Sequence, residues 1–157
     1  MCGVFFYNKN NNLNLSNEVF LNGLKHRGPD FQKVYEDQSV KIGHTLLSIR
    51  DSIENSIQPV TTNNDRYVIS FNGQIYNLNE IKKKFKLPNN IALDTSIISI
   101  LCNLIGVNFI HEINGMFVLI IYDKKEKKVI SVRDNSGQKP LYYFFDNKNL
   151  ILSSEIS

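Results

Sequence analysis

A cysteine stands at position 2, between Met1 and Gly3. Once Met1 is removed, Cys2 carries a thiol and a free α-amine on one carbon. A free α-amine titrates at about 7.7 to 8, so near neutrality much of it can accept the thiol proton, directly or through one water. Nucleophile and base then share one residue, as in the pairing of a threonine hydroxyl with its own N-terminal amine, and no His or Asp partner is required. A cysteine at position 2 is by itself an ordinary second residue, so the weight of this reading rests on what the rest of the chain sets around it.

The elements that would hold Cys2 begin at once. Val4 to Tyr7 is a short β-branched and aromatic run that reads as a buried strand, with the polar run Asn8 to Asn14 as a surface turn. Ser16 offers an N-cap and Glu18 a first-turn acid, and Val19, Phe20 and Leu24 supply the apolar side of a helix ending near Lys25. The helix stops at His26-Arg27-Gly28-Pro29-Asp30, a rigid turn in which glycine permits close backbone approach and proline forbids helix. Val40 to Ile49 is apolar enough for one or two strands, broken afterwards by Pro59 and the Thr61 to Asp65 cluster.

Tyr67 to Phe71 is a further strand, running into Asn72-Gly73. That dipeptide ordinarily marks a hairpin. Here Leu78, Ile81 and Phe85 follow at helical spacing, and Asn77 with Glu80 has the spacing of a capping box, so the expectation is a strand-to-helix turn. Such a turn leaves the Asn72 amide and the Gly73 N–H free to face a ligand. Asp94 caps the next helix, with Ile97, Ile98, Leu101, Leu104 and Ile105 as its stripe, Cys102 as a core filler and Gly106 as its stop. Met116 to Tyr122 and Val129 to Val132 form a hairpin over a charged tip, and Leu141 to Phe145 and Leu150 to Leu152 form another. Strands outnumber helices and the late ones are antiparallel, which suggests an α+β domain of stacked antiparallel sheets with helices outside.

The chain of 157 residues is long enough for one domain with a sizeable core and short for two. Its 42% hydrophobic and 21% charged composition is that of a soluble globular protein, and a net charge of +3 argues for neither nucleic acid nor membrane. Lys82 to Lys84 and Lys124 to Lys128 read as a solvated helix face and a hairpin tip. Two cysteines make no disulfide framework and no Cys or His pair has zinc spacing, so the expectation is a cytoplasmic protein without a metal or other cofactor. No secretory leader or membrane-length apolar run is evident.

Five stretches then fall in a characteristic order: Met1-Cys2-Gly3, His26-Arg27-Gly28-Pro29-Asp30, Phe71-Asn72-Gly73-Gln74-Ile75-Tyr76-Asn77, Asp94-Thr95, and Arg133-Asp134 followed by Gly137-Gln138-Lys139-Pro140-Leu141-Tyr142-Tyr143. Together they resemble the glutaminase domain of class II glutamine amidotransferases of the asparagine synthetase type, which are N-terminal-nucleophile hydrolases. The resemblance extends to Ser154-Glu155-Ile156. It implies a four-layer αββα sandwich occupying residues 1 to 157 as one domain. It also implies that Cys2 attacks the side-chain amide of glutamine, releases ammonia and leaves a γ-glutamyl thioester for water to cleave. Asn72 and Gly73 match the oxyanion donors, Asp94 the carboxylate that holds the substrate ammonium, and Arg27 and Gly28 a structural loop behind the nucleophile.

Two positions depart from the family pattern. Where the family places an arginine that forks the substrate carboxylate, this chain has Leu46, with Ile49 and Arg50 as the nearby residues of the same segment; Arg50 would need a bend or bulge to reach that spot. The family's glutamate after Asn-Gly is Gln74, which leaves the ammonium to Asp94. These departures leave room for a catalytically weak or inactive regulatory domain of the same fold, or for hydrolysis of another amide. No Gly-rich phosphate loop of the usual pattern is present, so an ammonia-accepting synthetase or transferase part is expected to be separate from this chain.

Overall fold

The structure, a computed structural model, describes residues 1–9, 15–49 and 52–156. Most of the asparagine-rich turn, and Arg50, lie outside the described residues. Among the described residues, nine strands form two antiparallel sheets. The first has the order β2-β3-β1-β9-β8, with β1 at Gly3–Asn8, β2 at Phe31–Glu36, β3 at Val40–Leu46, β8 at Tyr142–Phe145 and β9 at Leu150–Ser153. The second has the order β4-β5-β6-β7, with β4 at Val60–Thr61, β5 at Tyr67–Ile75, β6 at Gly115–Asp123 and β7 at Lys128–Arg133. The helices are α1 (Asn17–Leu24), α2 (Ile53–Ser56), α3 (Leu78–Lys84) and α4 (Asp94–Ile105), the last continuing as a 3₁₀ stretch over Gly106–Glu112.

Strand alternation sorts the side chains into three apolar layers. Phe5 and Tyr7 of β1 face outward against Phe20 and Leu24 of α1, with the Phe5 and Phe20 rings stacked at 4.5 Å. Val4 and Phe6 face inward and meet Val68 of β5 with Val118 and Ile120 of β6, so this layer joins sheet to sheet. Ile69, Phe71 and Ile75 of β5 face outward again, onto Ile81 of α3 and Ile97, Ile98 and Leu101 of α4. The order helix, sheet, sheet, helix is the four-layer sandwich expected from the sequence.

Several local expectations change. Asn72-Gly73 makes neither a hairpin nor a strand-to-helix turn: β5 runs straight through it, because β6 pairs with it in register, Asn72 opposite Val118 and Gly73 opposite Phe117. Cross-strand pairing over nine residues outweighs a local turn preference. Ser16 and Asn77 stand at the expected cap positions of α1 and α3 but make no side-chain cap bond, Leu93 and not Asp94 takes the cap position of α4, and the Asn77 side chain ties Glu112 to Asn114 through bonds of 2.8 and 2.9 Å. Val19 and Leu104 point to solvent, so the buried stripes are narrower than periodicity suggests. β2 alternates weakly and lies at a sheet edge, while β4 has two residues; neither announces itself in the sequence. The stretch Asp94–Glu112 is apolar enough to span a membrane by length and composition, contrary to the sequence reading. Its buried residues are those that pack on β5, and the α-helix breaks at Gly106.

Candidate active site

Cys2 enters β1 with the inward parity of Val4, facing the second sheet. The segment after β3 holds its sulfur: the Leu47 N–H donates to Sγ at 3.4 Å, and Sγ lies 3.7 Å from the Leu47 carbonyl. Arg27 Nε donates to the Cys2 carbonyl at 3.3 Å, and the Gly3 N–H donates to Thr45 Oγ1 at 3.1 Å. Cys2 is thus fixed on both sides by groups far away in sequence.

Gly28 shows why the turn behind it needs its sequence. A Cβ there would lie 2.2 Å from the Thr45 carbonyl, so only glycine lets the turn touch the β3 backbone. The Asp30 N–H then donates to the Leu46 carbonyl at 3.0 Å, and Asp30 Oδ2 accepts the Ser48 N–H at 2.8 Å. The turn therefore buttresses residues 46–48, which in turn hold the Cys2 sulfur.

The second wall comes from β5. Because β4 begins only at Val60, opposite Ile69, the β5 edge from Phe71 onward has no strand partner on that side among the described residues. Gln58 replaces one at Phe71, donating from Nε2 to its carbonyl at 3.0 Å and accepting its N–H at 2.7 Å. Asp94 Oδ1 accepts the Ile75 N–H at 3.4 Å on the same edge. Backbone direction alternates with each residue, so the Gly73 N–H between them faces this edge too. A Cβ on Gly73 would sit 2.2 Å from the Met116 carbonyl oxygen, which excludes a side chain. Asn72, at 5% exposure, has a buried Nδ2 that makes no hydrogen bond among the described residues.

These walls enclose a cavity of about 520 Å³, lined by Cys2, Leu46, Ile49, Asn72, Gly73, Gln74 and Asp94 among others. That volume is within the range of small-molecule sites. Its charged side chains among the described residues are Asp94 and Lys139. Leu46 is buried in the wall, whereas Ile49 is largely exposed at the rim. Arg27 and Gly28 stand behind Cys2 and do not line the cavity.

Sequence reasoning missed Lys139 and Gln58. Lys139 is buried, with Nζ 3.3 Å from Met1 Sδ, and its loop is built around Asp134. The Asp134 carboxylate accepts the Phe117, Gln138 and Lys139 N–H groups at 3.2, 2.9 and 3.1 Å. Burial opposes its ionisation, yet these backbone donors prevail and hold its pKa below the usual carboxylate value. The signature from Arg133 to Tyr143 was legible, and its lysine could have been singled out as the cation within it. Under the site, His44 Nδ1 lies 3.1 Å from Ser70 Oγ, and burial pushes the imidazole down to about 3. Burial pushes the Cys102 thiol up to about 12, as suits a core filler. Among the described residues no group of three or more His, Cys, Asp or Glu stands together that could hold a metal.

Two stacked antiparallel sheets between layers of helix, with Cys2 leading into the central strand β1, form the sandwich of the N-terminal-nucleophile hydrolases. In agreement, glutamine phosphoribosylpyrophosphate amidotransferase from Bacillus subtilis superimposes with a TM-score of 0.59 at 18% identity, over 98% of this chain and 35% of that one. A family profile described as a glutamine amidotransferase domain matches residues 1–157, and the chain belongs to that family. It is of the asparagine synthetase type: asparagine synthetase [glutamine-hydrolyzing] 2 of Bacillus subtilis is 37% identical over 136 residues, covering 85% of this chain and 18% of its own length. Asparagine synthetase B [glutamine-hydrolyzing] of Escherichia coli is 29% identical over 136 residues, covering 85% of this chain and 24% of its own. The chain thus spans under a third of the length of these relatives.

Proposed function

We propose that the chain is the glutaminase domain of an amidotransferase, residues 1 to 157 acting as one domain that hydrolyses the side-chain amide of glutamine. The observation that carries this is the convergence of Cys2, the Asn72 Nδ2 that has no partner among the described residues, the Gly73 edge N–H and the Asp94 carboxylate on one cavity. The names of the relatives, all glutamine-hydrolysing synthetases, support it.

Removal of Met1 frees the Cys2 α-amine. The amine takes the thiol proton, Sγ bonds to the amide carbon, and the carbonyl electrons move onto oxygen. Asn72 Nδ2 and the Gly73 N–H donate to that oxyanion. As the tetrahedral species collapses, the amine passes its proton to the leaving nitrogen and ammonia departs. Water, deprotonated by the same amine, then cleaves the γ-glutamyl thioester to glutamate and restores the thiol. Asp94 binds the substrate ammonium as a charge-assisted pair. Ammonia passes to an acceptor site on a synthetase or transferase part separate from the described domain, in the cytoplasm, with neither nucleic acid nor membrane as partner.

The test is ammonia release from glutamine by protein whose intact mass shows Met1 absent. Cys2→Ala must abolish it. A second reading has one observation in its favour: Leu46 buries an apolar side chain where the family binds the α-carboxylate. On that reading the substrate is an amide without a free carboxylate, and a panel of such amides is turned over in preference to glutamine. Absence of turnover with every amide would instead mark a binding or regulatory domain.

A further inference from the structure

The mechanism above leaves one ion-pair cluster unused. Glu155 accepts from Arg27 Nη1, and His26 Nε2 lies 3.3 Å from the same carboxylate oxygen. Arg27 is almost fully buried, and its Nε holds the Cys2 carbonyl at 3.3 Å. The segment carrying Glu155 also grips the strand that carries the nucleophile. Ser154 Oγ accepts the Val4 N–H, and the Ser154 N–H donates to the Val4 carbonyl, each at 3.0 Å. Glu155 is therefore joined to residue 2 by an unbroken line of polar contacts that crosses 153 positions of sequence, from carboxylate to guanidinium to carbonyl.

We propose that Glu155 is a positioning residue for the nucleophile: it orients the Arg27 guanidinium, which in turn fixes the carbonyl of Cys2 and so the direction of its thiol and amine. The inference rests on Cys2 being the nucleophile. A buried guanidinium is held by its charge partner, and without one it turns toward whatever acceptor remains or toward solvent. Burial alone would have been met by an apolar side chain at 27. The geometry instead spends the guanidinium on a main-chain carbonyl, whose orientation governs where residue 2 points. Arg27 Nη2 makes no hydrogen bond among the described residues, so Glu155 and the Cys2 carbonyl are the acceptors through which its plane is set.

The test compares wild type, Glu155→Gln, Arg27→Gln and the double variant, all with Met1 removed by methionine aminopeptidase and checked by intact mass. Two readouts are taken at pH 7.5: the second-order rate of Cys2 alkylation by iodoacetamide, located by peptide mass, and kcat and KM for glutamine. Cys102, buried with a raised pKa, serves as the internal unreactive thiol. Glu155→Gln is expected to slow Cys2 alkylation and kcat roughly fivefold or more, with KM within about twofold. Glu155→Asp is expected to recover part of both. In the Arg27→Gln background, Glu155→Gln should add less than about twofold, since the two act as one unit.

Alkylation and kcat unchanged in folded Glu155→Gln protein, or effects of the two substitutions that simply multiply, would overturn the proposal. So would a loss that tracks the thermal midpoint and is not recovered by Glu155→Asp. If the wild type hydrolyses no glutamine, the glutaminase reading fails, and the alkylation cycle still decides the role of Glu155.

Discussion

Truncating Asn72 separates catalysis from folding more cleanly than any other substitution in this site. Its side chain faces the inter-sheet layer at 5% exposure, and Nδ2 has no hydrogen-bond partner among the described residues. Asn72→Ala therefore breaks no bond from that donor. It removes a buried donor whose desolvation already costs about 1 to 3 kcal/mol, which offsets much of the lost packing. The folded state should change by under about 1 kcal/mol, a shift in thermal midpoint of a few degrees for a domain of this size. The oxyanion exists only near the transition state, so the donor is missed there and not in the ground state. Losing one of two such donors costs about 2.7 to 4 kcal/mol, a fall in kcat of about 100- to 1000-fold with KM within about threefold. The assay is coupled ammonia detection over a range of glutamine concentration, with thermal melts alongside. A folded Asn72→Ala protein with kcat within threefold of wild type would refute the oxyanion assignment, and a loss carried by KM would make Asn72 a substrate-binding residue.

Four further outcomes are expected. Asp94→Asn removes the carboxylate proposed for the ammonium and should raise KM for glutamine roughly 10- to 100-fold with a smaller change in kcat, read from the same assay. Leu46→Arg should lower KM for glutamine at least tenfold if the wall accepts the family's guanidinium; no change would mean that another residue holds the carboxylate, or that glutamine is not the substrate. Gly28→Ala places a Cβ 2.2 Å from the Thr45 carbonyl and should lower stability by at least about 2 kcal/mol in urea melts. His44 is neutral when folded down to about pH 3 because of burial, while the unfolded chain binds its proton below about 6.5. The unfolded state thus holds the extra proton in that window, so stability falls by about 1.4 kcal/mol per pH unit as pH drops from 6.5 toward 3. In His44→Gln that component of the slope should vanish from urea midpoints measured across the window.

Much of this protein is legible in its residue order. The strand at Val4 to Tyr7, the apolar helix over Ile97 and Ile98, and the two late hairpins all follow from period and turn chemistry acting on neighbouring residues. The ordered motifs point to the family, and the residues they single out line one cavity or support its wall. Elements whose reason is distant were not legible. The strand β2 mixes polar and apolar residues without clear alternation and lies at an edge, and β4 exists because two residues happen to meet β5. The supports of Cys2 come from Leu47, Arg27 and, through Arg27, Glu155, none of them a neighbour in sequence.

The sequence by itself determined the chemistry on offer: a thiol at position 2, an amide beside a glycine, a carboxylate at the start of the most apolar helix, and a leucine where the resemblance implies an arginine. The tertiary structure decided how those groups are presented. Asn72-Gly73 has the local signature of a turn, yet pairing with β6 draws it into a strand, and the late start of β4 at Val60 leaves its edge open to the cavity. The physical reason is that turn and helix signals are set by a residue's own backbone and near neighbours. Whether a strand edge is filled or free depends on a partner tens of residues away, and no local pattern records it.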